Sequence, residues 1–445
     1  MRNLSASHAT AATSRVDAAW IVPVDDNNRV LKDHSLVVAN DRILECIPTP
    51  EAITKYPELV SIDRRHHILM PGLVNAHTHL PMNLLRGMGS DKPLMSWLQD
   101  YIWPAEKKYL SADFVKDGTL LALAESLLGG VTTVNDMYFF PDVIASACRS
   151  VGVRACIGLT VLEMETPWAR NATEYISKGL ELHDAVLDDP LITTALAPHA
   201  PYTVSVETLE RIQVLSSELD INVHTHLHET AEELKNYMAQ HGVRPIAMLH
   251  DIGLLTPSLL AVHLTQVSDD EIDLLAQTGV NVLHCPESNL KLASGFCPIS
   301  KFSAQGVNVA IGTDGAASNN DLDVFGETRT AALLAKAVSG NAASITATEA
   351  LRMATINGAR ALGISDDTGS LDTGKSADMI CIEIDLSMQP MHDVIAQLVY
   401  ATGRERVSDV WIAGQQLVKD RKLLTMDTQH LSTTANHWEE KLSLQ

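Results

Sequence analysis

Between Leu73 and Gly312 one pattern occurs eight times: a short apolar run, then a helix-length stretch with amphipathic spacing. The runs are Leu73–His79, Val131–Met137, Arg154–Val161, Leu191–Pro198, Ile221–His226, Leu259–Leu264, Val280–His284 and Val307–Gly312. Strands joined by helical crossovers pair in parallel, and eight such units are the number that closes a (β/α)8 barrel. The connecting stretches carry helix signals. Ser111-Ala112-Asp113 opens an apolar-periodic segment that stops at Gly129-Gly130, and Ser268-Asp269-Asp270-Glu271 reads as a capping box.

Outside this span the texture is β only. Ala19–Val24 and Ser35–Ile47 read as strands, the second broken by an Asn40-Asp41 turn; after the barrel come Ala377–Ile382 and a hairpin of Val407–Trp411 and Gln415–Val418 around Ala413-Gly414. The expected fold is α/β: a (β/α)8 TIM-like barrel with a small β-sandwich domain built from both chain ends. The boundaries predicted are a flexible tail over 1–15, the N-terminal part of the β domain over 16–68, the barrel over 69–366, the C-terminal part of the β domain over 367–424, and a C-terminal tail or helix over 425–445.

Composition excludes several functions. A net charge of -22 argues against binding nucleic acid or an anionic membrane, both of which call for a basic surface. Six cysteines without a CxxC pair fit reduced thiols in a cytoplasm. No apolar stretch is long enough for a membrane span or a signal peptide. Whether identical copies assemble is left open.

In such barrels the chemistry sits at the C-terminal ends of the strands. The run Ile68 to Val74 leads as one strand to His77-Thr78-His79, and residues two apart in a strand share a face. Strand four ends at His199, strand five in His224, His226 and His228 with Glu229, strand six at His263, strand seven at His284, and strand eight at Asp314. A one-metal site needs three or four nitrogen and oxygen ligands with a position left for water. His77, His79, one histidine of the strand-five triplet and Asp314 supply that set. A second metal would call for a bridging carboxylate or modified lysine at strand four, where His199 stands, so one divalent ion is expected, zinc first and iron as the alternative.

These residues carry a resemblance. Pro71 to His79, Leu84-Leu85-Arg86-Gly87, His226-Leu227-His228-Glu229-Thr230, Ser288-Asn289-Leu290-Lys291-Leu292, Gly312 to Asn320 and Gly374-Lys375-Ser376-Ala377-Asp378 resemble the amidohydrolase superfamily. Within it, the chain is similar to the aminohydrolase branch of methylthioadenosine/S-adenosylhomocysteine deaminases, guanine deaminases and triazine hydrolases. The resemblance implies His226 as the strand-five ligand, Glu229 as the carboxylate that passes a proton from water to a substrate ring nitrogen, His263 as the group that orients the attacking water, and Asp314 as ligand and base. His224, His228 and His284 are left open between contact with the site and simple burial.

The segment Trp97 to Glu106 resembles the loop that reads a ribose in the nucleoside deaminases of that branch, which makes Glu106 the candidate for the two hydroxyls, since one carboxylate can accept from both. His199 resembles a substrate contact, and Arg170 falls near an arginine that holds the homocysteine tail. A second tail-binding arginine expected after strand three is replaced by the apolar stretch around Leu159. The substrate expected is therefore an adenosine derivative, 5′-methylthioadenosine ahead of S-adenosylhomocysteine or adenosine. The alternatives are a deaminase or hydrolase of a free purine or triazine ring, and, in another class, a metal-free barrel acting as a scaffold.

Overall fold

The apolar run that leads to the paired histidines serves two sheets. In the computed structural model, which describes residues 13–443, the chain opens with β1 (Ser14–Ile21), β2 (Leu31–Ala39), β3 (Arg42–Pro48) and β4 (Val60–Pro71), and β5 (Leu73–Thr78) begins one residue later in a different sheet. The single strand expected over Ile68 to Val74 is thus divided at Gly72. A β-carbon there would lie 2.1 Å from the Thr132 hydroxyl, so only glycine lets the chain turn this close to the neighbouring strand. Of the expected tail over 1–15, residues 1–12 lie outside the described residues, while Ser14 and Arg15 already pair with Val38 and Val37.

The barrel continues through β6 (Val131–Tyr138), β7 (Arg154–Val161), β8 (Ile192–Pro198), β9 (Val223–Leu227), β10 (Leu259–His263), β11 (Asn281–His284) and β12 (Val309–Ile311), in sequence order and parallel wherever pairing is recorded. The predicted capping signals lie where helices begin: Ser111 caps Ala112–Leu128, and Ser268 with Glu271 completes a capping box on Asp269–Thr278. After the barrel come β13 (Met379–Glu383), β14 (Val407–Ile412), β15 (Gln415–Lys419) and β16 (Lys422–Leu423). They join β1 to β4 in one sheet of order β16-β15-β14-β13-β4-β1-β2-β3. That sheet bends back on itself. Gly374 and Ala377 donate to the carbonyls of Ile43 and Asp41, and Val16, Leu36 and Ile43 share a core with Met379, Cys381 and Trp411.

β12 and β5 close the barrel without a ladder. The side chain of Asn75, wholly buried, replaces one: its oxygen accepts from the Thr313 N–H at 3.0 Å, its amide donates to the Thr313 hydroxyl at 2.8 Å, and the Asp314 N–H reaches the His77 carbonyl at 3.0 Å. A β-carbon on Gly312 would meet the backbone nitrogen of His77 at 2.8 Å, so strands one and eight touch main chain to main chain.

The two sheets are joined by a buried ion pair. Arg154, at the start of β7, donates through Nε to Asp378 at 2.8 Å; Asp378 also accepts from Ser376, Thr368 and the Ala413 N–H. The helix Thr428–Ser443 packs on Ala112–Leu128, where Trp438 stands edge-on to Phe114, and its Lys441 carbonyl accepts from the Tyr109 hydroxyl. Asp378→Ala should lower stability by about 1–3 kcal/mol, because it removes one carboxylate from a buried guanidinium that keeps Asp367 as its second. The double variant Arg154→Met/Asp378→Ala should lose less than the sum, as read by urea denaturation followed by circular dichroism.

Candidate functional site

His77 is the penultimate residue of β5, His79 follows that strand, His226 comes from β9, and Asp314 follows β12 across the closure. The ring nitrogens of the three histidines lie within 4.8 Å of one another. Hydrogen bonds fix which nitrogen each presents. His79 donates through Nδ1 to the Met137 carbonyl and His226 through Nδ1 to the His199 carbonyl at 2.8 Å, so that in the neutral ring each Nε2 is a bare lone pair. These lone pairs face other acceptors. His79 Nε2 lies 3.2 Å from Asp314 Oδ1, His77 Nε2 lies 3.5 Å from the same oxygen, and His77 and His226 present Nε2 to each other at 3.3 Å. Buried acceptors aimed at one point repel unless a cation lies between them. Burial pushes the His77 imidazole down to about 3 and holds His226 well below its ordinary range, so both stay neutral as a metal requires. The donor set of three imidazoles and a carboxylate fits one divalent ion of zinc type.

Asp314 is held from behind. Its Oδ2 accepts from Ser288 at 2.6 Å and Ser318 at 2.8 Å, and its Oδ1 from the Gly315 N–H at 2.7 Å. These three donors favour the ionised carboxylate. The backbone at these strand ends is strained. Asp314, His263, Leu264 and His228 all have positive φ, between 47° and 74°, which non-glycine residues adopt at a cost.

Glu229 lies beside this cluster, with its Oε2 3.8 Å from His263 Nε2. Its carboxyl is pushed up to about 8, first by burial and then by the charge of Asp314, so it carries a proton at neutral pH. His263 donates through Nδ1 to Asn289 Oδ1 at 2.9 Å, which turns Nε2 toward Glu229. His199 is half-buried, with its ring 4.9 Å from that of His226, and burial pushes its pKa down to about 4.

His79, His199, His226, Glu229, His263 and Asp314 line a cavity of about 970 Å³ whose other walls include Trp103, Met137, Leu162 and Tyr202. Glu106 lines it too. Its Oε1 accepts from the Tyr138 hydroxyl at 2.6 Å, and burial pushes its carboxyl up to about 7 against that bond. Arg170 is not brought to the cavity: it is 77% exposed and pairs with Glu174 one turn along its own segment. Of the three histidines left open, His228 binds backbone away from the cavity, accepting from the Ile246 N–H and bonding the Gln266 carbonyl. His284 is buried with neither ring nitrogen partnered, and His224 contacts His77.

The residues that sequence reasoning left without a role are supports: Tyr138 on Glu106, Ser288 and Ser318 on Asp314, and Asn289 on His263. Ser288, Asn289 and Ser318 do fall inside the segments quoted for the resemblance, and a short hydroxyl or amide next to a strand end was the available signal. Tyr138 carried none, since its pairing with Glu106 spans 32 residues.

Comparison with known proteins agrees with this geometry. Residues 68–417 match the family described as Amidohydrolase family. Proteins named 5-methylthioadenosine/S-adenosylhomocysteine deaminase from Teredinibacter turnerae and Saccharophagus degradans are 48% and 44% identical, over 98% and 99% of this chain and 99% of each relative. The crystal structure of an adenosine deaminase from Xanthomonas campestris with bound zinc superposes with a TM-score of 0.96 at 49% identity, covering 97% of this chain and 99% of that one.

Because strand eight approaches strand one through Gly312, Gly312→Ala should push Asp314 away from the histidines. The expected result is zinc content well below one per chain after reconstitution and dialysis, measured by inductively coupled plasma mass spectrometry.

Proposed function

The chain belongs to the amidohydrolase family, and from that premise we propose that it is a metal-dependent hydrolytic deaminase of an adenosine derivative, converting 5′-methylthioadenosine and water to 5′-methylthioinosine and ammonia. The observation that carries this reading is the set of buried acceptors of His77, His79, His226 and Asp314 facing one another beside a protonated Glu229. Those four residues would hold one divalent ion, taken as zinc by likeness to the Xanthomonas campestris structure. When bound, it supplies water whose pKa is lowered toward about 7.

The protein's own groups supply the rest. Glu229, protonated at neutral pH, hands its proton to a ring nitrogen as water adds to the amino-bearing carbon, and it recovers a proton from that water. His263 and Asp314 orient the water, and Asp314, kept ionised, takes up the proton that the departing amine needs. Loss of ammonia restores the aromatic ring. His199, held neutral, lies where it can contact the substrate next to His226.

Glu106 is assigned to the ribose hydroxyls. This separates the nucleoside reading from one in which a free purine or triazine is the substrate, because a bare ring has no vicinal hydroxyls for the carboxylate to accept from. The tail pocket favours a short neutral 5′ substituent: among the described residues no arginine lines the cavity, and two carboxylates, Glu163 and Glu165, outnumber its one lysine, Lys107. A homocysteine carboxylate would meet like charge there. The compartment proposed is the cytoplasm, in keeping with six unpaired cysteines. No described helix is long and apolar enough to cross a membrane.

The decisive measurement is ammonia release by the zinc-loaded protein on a substrate panel. kcat/KM for 5′-methylthioadenosine should exceed that for S-adenosylhomocysteine by about tenfold or more, and a clear preference for the homocysteine compound would overturn the tail assignment. Glu106→Ala should raise KM for the nucleoside by about 10–100-fold and leave turnover of any accepted free base unchanged. The pH dependence follows from Glu106. Its pKa is raised, so the acceptor is present above about 7 and is lost by protonation below, and kcat/KM should fall as pH drops through that value. Tyr138→Phe removes a donor that favours the charged form and should move this limb to higher pH.

A further inference from the structure

The three histidines of the cluster are not anchored alike. His79 and His226 each donate to a backbone carbonyl, whose position is set by the strand that carries it. His77 has no such partner. Its Nδ1 lies 2.8 Å from Nε2 of His224, another fully buried imidazole, with the rings edge to face at 4.9 Å and 86°. His224 stands two residues before His226 on β9, so both side chains enter from the same face of one strand. One reaches the cluster, and the other reaches the back of His77 on the far side of the barrel.

From this we infer that His224 is the positioning residue of the metal centre: it fixes the tautomer and the ring plane of His77. The argument is one of hydrogen counting. Between two neutral imidazoles the shared proton belongs either to His77 Nδ1 or to His224 Nε2. In the second case His77 carries its own proton on Nε2, which then cannot act as a ligand. In the first, Nε2 of His77 is bare and faces Asp314 and His226, but the proton of His224 is forced onto its Nδ1, which has no hydrogen-bond partner among the described residues. A buried donor without a partner is costly. Such a cost is sustained where it serves a site, and holding a ligating histidine through its second nitrogen is a recognised way to set metal affinity. An imidazole in this place differs from a carbonyl in one respect: a single side-chain substitution can delete it.

The inference rests on the ligand set proposed above, and the experiment separates the two. Zinc affinity is measured by competition with a chromophoric chelator on the full chain, together with the melting temperature of the metal-free protein. His224→Phe keeps the ring volume without an acceptor, and His224→Gln places an amide oxygen the same number of bonds from the backbone as Nε2. The expected result is a 10–100-fold weaker zinc affinity for His224→Phe and an affinity within about threefold of the parent for His224→Gln, both with similar metal-free melting temperatures. His224→Leu serves in the same role if the phenylalanine variant does not fold. Equal affinity in the parent and in His224→Phe, or equal loss in the Phe and Gln variants, overturns the positioning role. Full zinc retention by His77→Ala overturns the ligand set, and this inference with it.

Discussion

The structure depends on how its barrel closes. Seven of the eight junctions are made by parallel ladders, but the eighth, between β12 and β5, is made by one amide side chain, one glycine and a single backbone bond from Asp314 to His77. Asn75 supplies the donor and acceptor that a ladder would have supplied, and Gly312 lets the two backbones meet. The junction does more than close the sheet. His77 lies two residues after Asn75 and Asp314 two after Gly312, so the contact that completes the barrel also sets a carboxylate against two imidazoles.

That placement would be unfavourable if the groups were charged at random. Burial resolves it in opposite directions for different residues. It drives His77, His199 and His226 toward the neutral form and Glu229 and Glu106 toward the protonated form, while donors from Ser288, Ser318 and Gly315 favour the ionised form of Asp314. The proposed metal ligand set, proton carrier and sugar-binding carboxylate thus arise from a few residue types sorted by environment. The supports are mostly neutral. Serine hydroxyls, an asparagine amide, backbone carbonyls and one imidazole hold these groups in place without adding charge to the cavity.

The flanking sheet contributes through rigidity. Asp378, in the segment that leads back into that sheet, reaches Arg154 at the base of β7, and the C-terminal helix binds Tyr109 three residues beyond Glu106. Elements far apart in the chain therefore bear on both ends of the barrel. The motif around Asp378 was legible as part of the resemblance, and its side chain serves docking.

Much was legible because it is local. The eight apolar runs mark the eight barrel strands, since their short length and the helix-length stretches between them distinguish buried parallel strands from helices. The caps at Ser111 and Ser268 fall where the spacing put them, and the polar residues at the strand ends could be named one by one. The division of one apolar run between two sheets was not legible. It turns on the space beside Gly72, which Thr132 fills from sixty residues away. Nor could the sequence direct Arg170 away from the cavity, because a four-residue step to Glu174 captured it on its own segment. What the sequence by itself determined is which residue types stand at the strand ends. Which nitrogen each histidine presents, and which carboxyl keeps its proton, only the tertiary structure decided, because both depend on hydrogen-bond partners and burial contributed by other strands.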